Sequence, residues 1–192
     1  MIQKNPSVCV YCGARDGVLP EYAACADAMG RALAANRWRL IYGAGDVGLM
    51  GRVARAAQDG GGDTFGVIPV HLLQQEVGKR DLDRFVVTET MHERKKVMFM
   101  NADAAVVLPG GAGSLDEFFE VLTWRQLGLH DKPIYLLNAA GYWDPLIALV
   151  DHVVRQGFAD AALSGLVRVA DSVPALVTAL QADFGRRNTA TE

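Results

Sequence analysis

The chain of 192 residues is 51% hydrophobic and 21% charged, enough for one well-buried core and short for two. Its formal net charge of −3 excludes the broad basic field that nucleic acid or an anionic membrane would require, so any phosphate it binds must be captured locally. The segment Met1–Pro6 lacks the apolar stretch of a signal peptide, and no apolar run reaches membrane-spanning length. The expectation is a soluble, cytoplasmic protein that meets neither membrane nor nucleic acid.

In chain order, the first predicted strand is 7–12, ending at Gly13. Cys9 and Cys12 have the spacing of a redox or zinc motif. Residues three apart on a strand point to opposite faces, however, a redox pair sits at a helix start, and no further metal ligands lie nearby. Buried thiols are therefore expected. Helix Glu21–Asn36, strand 38–42, helix Gly48–Asp59 and strand 64–68 follow from the periodicity. Residues 70–83 are polar and poorly periodic and are expected to form a loop over the site. Then come strand 84–88, helix Met91–Ala102, strand 104–108, helix Leu115–Leu127, strand 133–137, helix Tyr142–Gln156, a weaker strand near 166–169 and helix Ser172–Phe184.

Val67-Ile68 and Ala104–Leu108 are apolar without alternation, as strands covered on both faces are. Strand and helix repeated in this way predict a doubly wound α/β fold, a Rossmann-like parallel sheet with helices on both sides. Residues 1–184 are expected to form a single domain, and 185–192 a polar, frayed tail.

Ligands of such sheets sit beyond the carboxyl ends of the strands. Three glycine-bearing turns fall there: Gly13, the run Gly43-Ala44-Gly45-Asp46-Val47-Gly48, and Pro109-Gly110-Gly111-Ala112-Gly113-Ser114. Glycine admits positive φ and close backbone approach, and a helix starting at once offers its free N–H groups to a phosphate. Gly43-x-Gly45-x-x-Gly48 matches the dinucleotide fingerprint in letters, but it follows the second strand, and the next strand ends in no acid. Tight strand–helix packing explains it equally well. No Gly-Lys-Ser/Thr follows, which excludes a Walker loop. In the 109–117 segment, Ser114-x-x-Glu117 also reads as a capping box, which accounts for those two residues but not for the three glycines before them.

Pro109-Gly110-Gly111-Ala112-Gly113-Ser114-Leu115-Asp116-Glu117 resembles the PGGxGTxxE signature of the LOG ("Lonely guy") family. The blocks Cys9–Gly13, Tyr42–Gly45 with Gly48–Gly51, Met91–Lys95 and Val121–Gly128 resemble that family's other blocks, in order and along most of the chain. The resemblance implies a phosphoribohydrolase that releases the free base from cytokinin riboside 5′-monophosphates, and often from AMP. It implies no cofactor and no metal, and a homodimer. It places Arg94 and Glu117 on the catalytic pair, and Glu76, Lys95, Gly110, Gly111, Gly113, Ser114 and Thr123 on substrate-contacting positions. Gly13, Gly43 and Gly45 form a secondary glycine loop. Ser114 stands for a threonine and keeps its hydroxyl; Ala44 stands for a usual glycine and Ala14 for a usual serine.

Cleavage of an N-glycosidic bond builds oxocarbenium-like charge on the ribose, which a carboxylate can stabilise. Glu117, one turn into a helix, is expected to be kept ionised by the helix dipole. Arg94 shares a helix face with Met91 and Met98, which fits a snorkelling surface charge, or a guanidinium that grips the phosphate or orients substrate and Glu117. Lys95 is placed to add charge to the phosphate, though by residue type a solvated side chain is the commoner case, and Glu76 would by itself be an ordinary exposed acid. His71, His92, His130 and His152 make no metal-spaced set, and Trp124 and Trp143 read as core or interface residues. Two further readings stay open: an AMP-type nucleosidase in purine salvage, and a non-catalytic purine-nucleotide-binding protein. A lysine decarboxylase is set aside, because no segment suggests a Schiff-base lysine with a partner for a pyridoxal nitrogen.

Overall fold

The computed structural model describes residues 5–73 and 81–189, with side chains to residue 186. Seven strands form one sheet: β1 (Ser7–Tyr11), β2 (Arg39–Tyr42), β3 (Thr64–Pro69), β4 (Arg84–Thr88), β5 (Ala104–Val107), β6 (Ile134–Leu137) and β7 (Val167–Ala170). Their order is β4-β3-β2-β1-β5-β6-β7, and every neighbouring pair is parallel. The helices are α1 (Pro20–Ala35), α2 (Gly48–Asp59), α3 (Met91–Met100), α4 (Ala112–Gln126), α5 (Asp144–Arg155), α6 (Ala162–Gly165) and α7 (Val173–Thr189).

Strand alternation divides the core into two layers. Val8 and Val10 of β1 point to a layer with α1, α2 and α7, whereas Cys9 and Tyr11 point to a layer with α3, α4 and α5. Cys9 and Cys12 therefore belong to opposite layers, both thiols free and buried. Burial pushes both thiols far above their usual range, which leaves them inert. Helices α1 and α2 touch at Gly30, where a Cβ would lie 2.3 Å from the Val53 carbonyl oxygen. The chain winds outward from β1 to β4, then returns to lay β5 beside β1. This reversal opens a crevice at the carboxyl ends of β1 and β5.

Several local expectations change. Helix α4 begins at Ala112, not Leu115, with Gly111 as its N-cap and no side-chain cap. Ser114 and Glu117 thus lie inside the helix and do not form a capping box. The capping box observed is in α3, where Thr90 Oγ1 accepts from Glu93 N and Glu93 Oε2 accepts from Thr90 N, each at 3.2 Å. Helix α5 starts at Asp144, after a 3-10 turn over Ala139–Gly141, and the single turn of α6 was not foreseen. Helix α7 runs on to Thr189, so the first residues of the expected frayed tail continue the helix. Gly185 does not stop it, because it takes no left-handed conformation. In the expected loop 70–83, Val70–Leu72 form a 3-10 turn, and residues 74–80 lie outside the described residues.

Candidate active site

The crevice holds a pocket of about 460 Å³. Its walls are the turn after β1 (Cys12, Gly13, Ala14, Arg15, Asp16, Gly17), the β5–α4 turn (Pro109, Gly110, Gly111, Gly113, Ser114) with Glu117, and Tyr22, Leu49, Met50 and Tyr142. The two turns touch backbone to backbone. Gly13 N donates to the Pro109 carbonyl at 3.0 Å, and a Cβ on Gly110 would lie 2.1 Å from Ser114 Oγ and 2.9 Å from Gly13 N. Gly111 and Gly113 meet nothing within 4 Å where a Cβ would be, so packing does not demand them. They keep the mouth of α4 clear.

The first helical bond of α4 is Leu115 N to the Gly111 carbonyl at 3.1 Å, which leaves the amides of Ala112, Gly113 and Ser114 ahead of the ladder. Such an end suits an anion. Tyr142 pins this turn from the far side, its hydroxyl donating to the Gly110 carbonyl at 2.6 Å. Its ring stands edge-on to Tyr22 and Trp143, and Trp143 Nε1 donates to the Val107 carbonyl at 3.2 Å.

Glu117 lines the pocket from the second turn of α4. Burial pushes its carboxyl up from 4.5 to about 7; Arg94 pulls it back, Asp116 and Glu120 add to the rise, and Lys95 opposes it. The expectation that the helix dipole keeps Glu117 ionised is corrected here. The dipole acts within the first turn, and one turn further in desolvation wins.

Arg94 is 5% exposed, so the snorkelling alternative is set aside. Its Nε donates to the Val67 carbonyl within β3 at 3.1 Å and its Nη2 to the Gly43 carbonyl, just past β2, at 2.7 Å. Nη1 faces Met91 Sδ at 3.8 Å. Lys95 is buried rather than solvated, with Nζ at 2.9 Å from Asp116 Oδ2 and 3.2 Å from Glu120 Oε1. Burial works against its charge, but the hydrogen bonds to these two carboxylates win and raise its pKa.

Of the residues singled out in the sequence, the pocket gathers Gly13, Gly110, Gly111, Gly113, Ser114 and Glu117, with Arg94 and Lys95 close enough to act on Glu117 electrostatically. Gly43 and Gly45 do not line it. Nor does Ala44, so its departure from glycine touches no ligand wall. Thr123 lies exposed on α4, on the stripe of Asp116, Phe119 and Leu127. Glu76 falls outside the described residues. Sequence reasoning missed Arg15, Asp16, Tyr22, Met50 and Tyr142. Arg15 had a usable signal, a basic residue just past the first glycine turn; Tyr142 had none, because only the tertiary fold brings it to Gly110. Among the described residues, no group of three or more His, Cys, Asp or Glu side chains could hold a metal ion.

Fold and site together define a doubly wound α/β protein with an anion-receptive helix end and a buried carboxylate at its switch point. A family model described as "Possible lysine decarboxylase" matches residues 50–180. The chain is 43% identical over 174 residues to the probable cytokinin riboside 5′-monophosphate phosphoribohydrolase LOG4 of Oryza sativa subsp. japonica, covering 91% of this chain and 76% of that protein. It is also 43% identical over 176 residues to the cytokinin riboside 5′-monophosphate phosphoribohydrolase of Rhodococcoides fascians, covering 91% and 89%. The chain belongs to this LOG family of phosphoribohydrolases. Among solved structures, the molybdenum cofactor carrier protein of Chlamydomonas reinhardtii superposes with a TM-score of 0.73 at 21% identity, covering 95% of this chain and 99% of that one. At that identity the likeness concerns the fold alone.

Proposed function

We propose that this chain hydrolyses the N-glycosidic bond of purine or cytokinin nucleoside 5′-monophosphates, giving free base and ribose 5-phosphate. The observation that carries the reading is Glu117, half-sunk in the pocket wall one turn beyond the free amides of α4. A 5′-phosphate on the amides of Ala112–Ser114 sets the ribose beside that carboxylate. The C1′–N bond breaks, and its electron pair leaves with the base, which takes up a proton. Water supplies the oxygen that bonds C1′. Ionised Glu117 stabilises the positive ribose, holds its hydroxyls or accepts the water's proton. Arg94 contributes fixed positive charge near the carboxylate. Ser114, Gly110, Gly111 and Gly113 form the phosphate cradle, and Glu76, Lys95 and Thr123 are proposed contacts by resemblance.

The chain is proposed to work as a homodimer. Support comes from exposed apolar residues of α3, α4 and the turn after it: Met100, Phe119, Leu127 and Leu129. A cytoplasmic location is proposed as well. Three free cysteines suit a reducing compartment, and among the described residues no helix is long and apolar enough to cross a membrane. The test is incubation with a panel of nucleoside monophosphates, AMP and isopentenyladenosine monophosphate among them, with free base followed by chromatography. Base release is expected; nucleotide binding without release would make the protein a non-catalytic binder.

A further inference from the structure

The glycine run after β2 is absorbed by neither the pocket nor a dinucleotide. Residues 43–48 do not line the crevice, although Leu49 and Met50, just beyond them, do. What Gly43 faces instead is Arg94. A Cβ there would fall 1.9 Å from Nη2 and 2.9 Å from Cζ, while the Gly43 carbonyl itself accepts from Nη2 at 2.7 Å. With Nε on the Val67 carbonyl, two of the three guanidinium nitrogens are spent on main chain. Among the described residues, Nη1 has only a weak acceptor, the Met91 sulfur, and so retains donor capacity.

We infer that Gly43 is a positioning residue for Arg94: its missing side chain is the seat of the guanidinium, so this glycine serves the arginine rather than a phosphate. This rests on the proposed hydrolase reading for its kinetic consequence only. A guanidinium clamped between the main chain of β3 and the turn after β2 places a buried charge that cannot swing out to solvent, which is what an electrostatic partner of Glu117 needs. The charged and titratable groups that act on Glu117 are Arg94 and Lys95 from α3, Asp116 and Glu120 from α4, Cys9 and Tyr11 from β1, and Cys12 just after it. Of these, Arg94 is the strongest influence holding the carboxyl down.

The test compares Gly43→Ala, Arg94→Ala and the double variant. Gly43→Ala is expected to lower kcat/KM for AMP within about threefold of the loss in Arg94→Ala, and in both the acid limb of the pH profile moves to higher pH. In the Arg94→Ala background, adding Gly43→Ala is expected to leave the calorimetric Kd for AMP unchanged, because the seat is already empty. A further loss of AMP affinity beyond about threefold there would mean that Gly43 touches ligand, and would overturn the inference. So would wild-type kinetics in Gly43→Ala. If Gly43→Ala fails to fold, recovery of a cooperative melt in the double variant supports the seat, and failure of both variants overturns it. Should the wild type release no base from any nucleotide, the hydrolase reading falls, while the AMP-binding and melting comparisons still decide the seat.

Discussion

Glu117→Gln should separate activity from stability in opposite directions. The carboxyl's pKa rises from 4.5 to about 7 on folding, chiefly because burial disfavours the charged form. The sign follows from linkage: the folded state binds this proton more tightly than the unfolded state does. Below pH 4.5 the group is neutral in both states and costs nothing; between 4.5 and 7 stability falls as pH rises; above 7 the full penalty is present. At about 1.4 kcal/mol per tenfold, the shift amounts to at most about 3 kcal/mol, an upper bound because the side chain keeps some contact with water. Glutamine keeps the shape without the charge. In urea unfolding at pH 8 the variant should therefore be more stable than the wild type by up to about 3 kcal/mol, with the gap closing by pH 4. Base release from AMP should drop by ~10²–10⁴. A variant no more stable than the wild type at pH 8, or one with unimpaired turnover, would refute the picture of a desolvated, working carboxylate.

Three other perturbations follow from the packing. Tyr142→Phe removes the donor to the Gly110 carbonyl; at about 1 kcal/mol for that bond, the KM for AMP should rise about fivefold with kcat nearly unchanged, as steady-state kinetics would register. Lys95→Met strips Asp116 and Glu120 of their partner, for about 1 kcal/mol or less in chemical unfolding because Asp116 is largely exposed. The acid limb of its pH–rate profile should also move upward, since a charge that steadies Glu117 is lost; a raised KM with an unmoved limb would instead make Lys95 a phosphate ligand. Gly30→Ala drives a methyl into the Val53 carbonyl and prises α1 from α2, so calorimetry should show Tm lowered by roughly 5–10 °C, equivalent to about 2–3 kcal/mol of overpacking.

Local pattern carried much of this molecule. Continuous apolar runs such as Ala104–Leu108, interleaved with helical periodicity, are enough to specify a parallel sheet, because only strands covered on both faces can afford them. Glycines at strand ends marked the crevice for a related reason: Gly13 and Gly110 lie where two backbones meet. Helix ends were harder. Ser114-x-x-Glu117 reads as a cap, yet α4 had already begun at Ala112, because Gly111 can cap without a side chain once the turn is held by Gly13 and Tyr142.

What composition and spacing determined were the sheet and the crevice, while the family resemblance singled out its carboxylate. Whether Arg94 points out or in, whether Lys95 meets water or Asp116, and whether Glu117 carries its charge at neutral pH were settled only when α3 packed over β3 and beside α4. The reason is physical. A side chain's chemistry depends on how much water surrounds it and which charges stand within a few ångströms, and both are set by contacts between residues far apart in the chain, such as Gly43 with Arg94 and Gly110 with Tyr142.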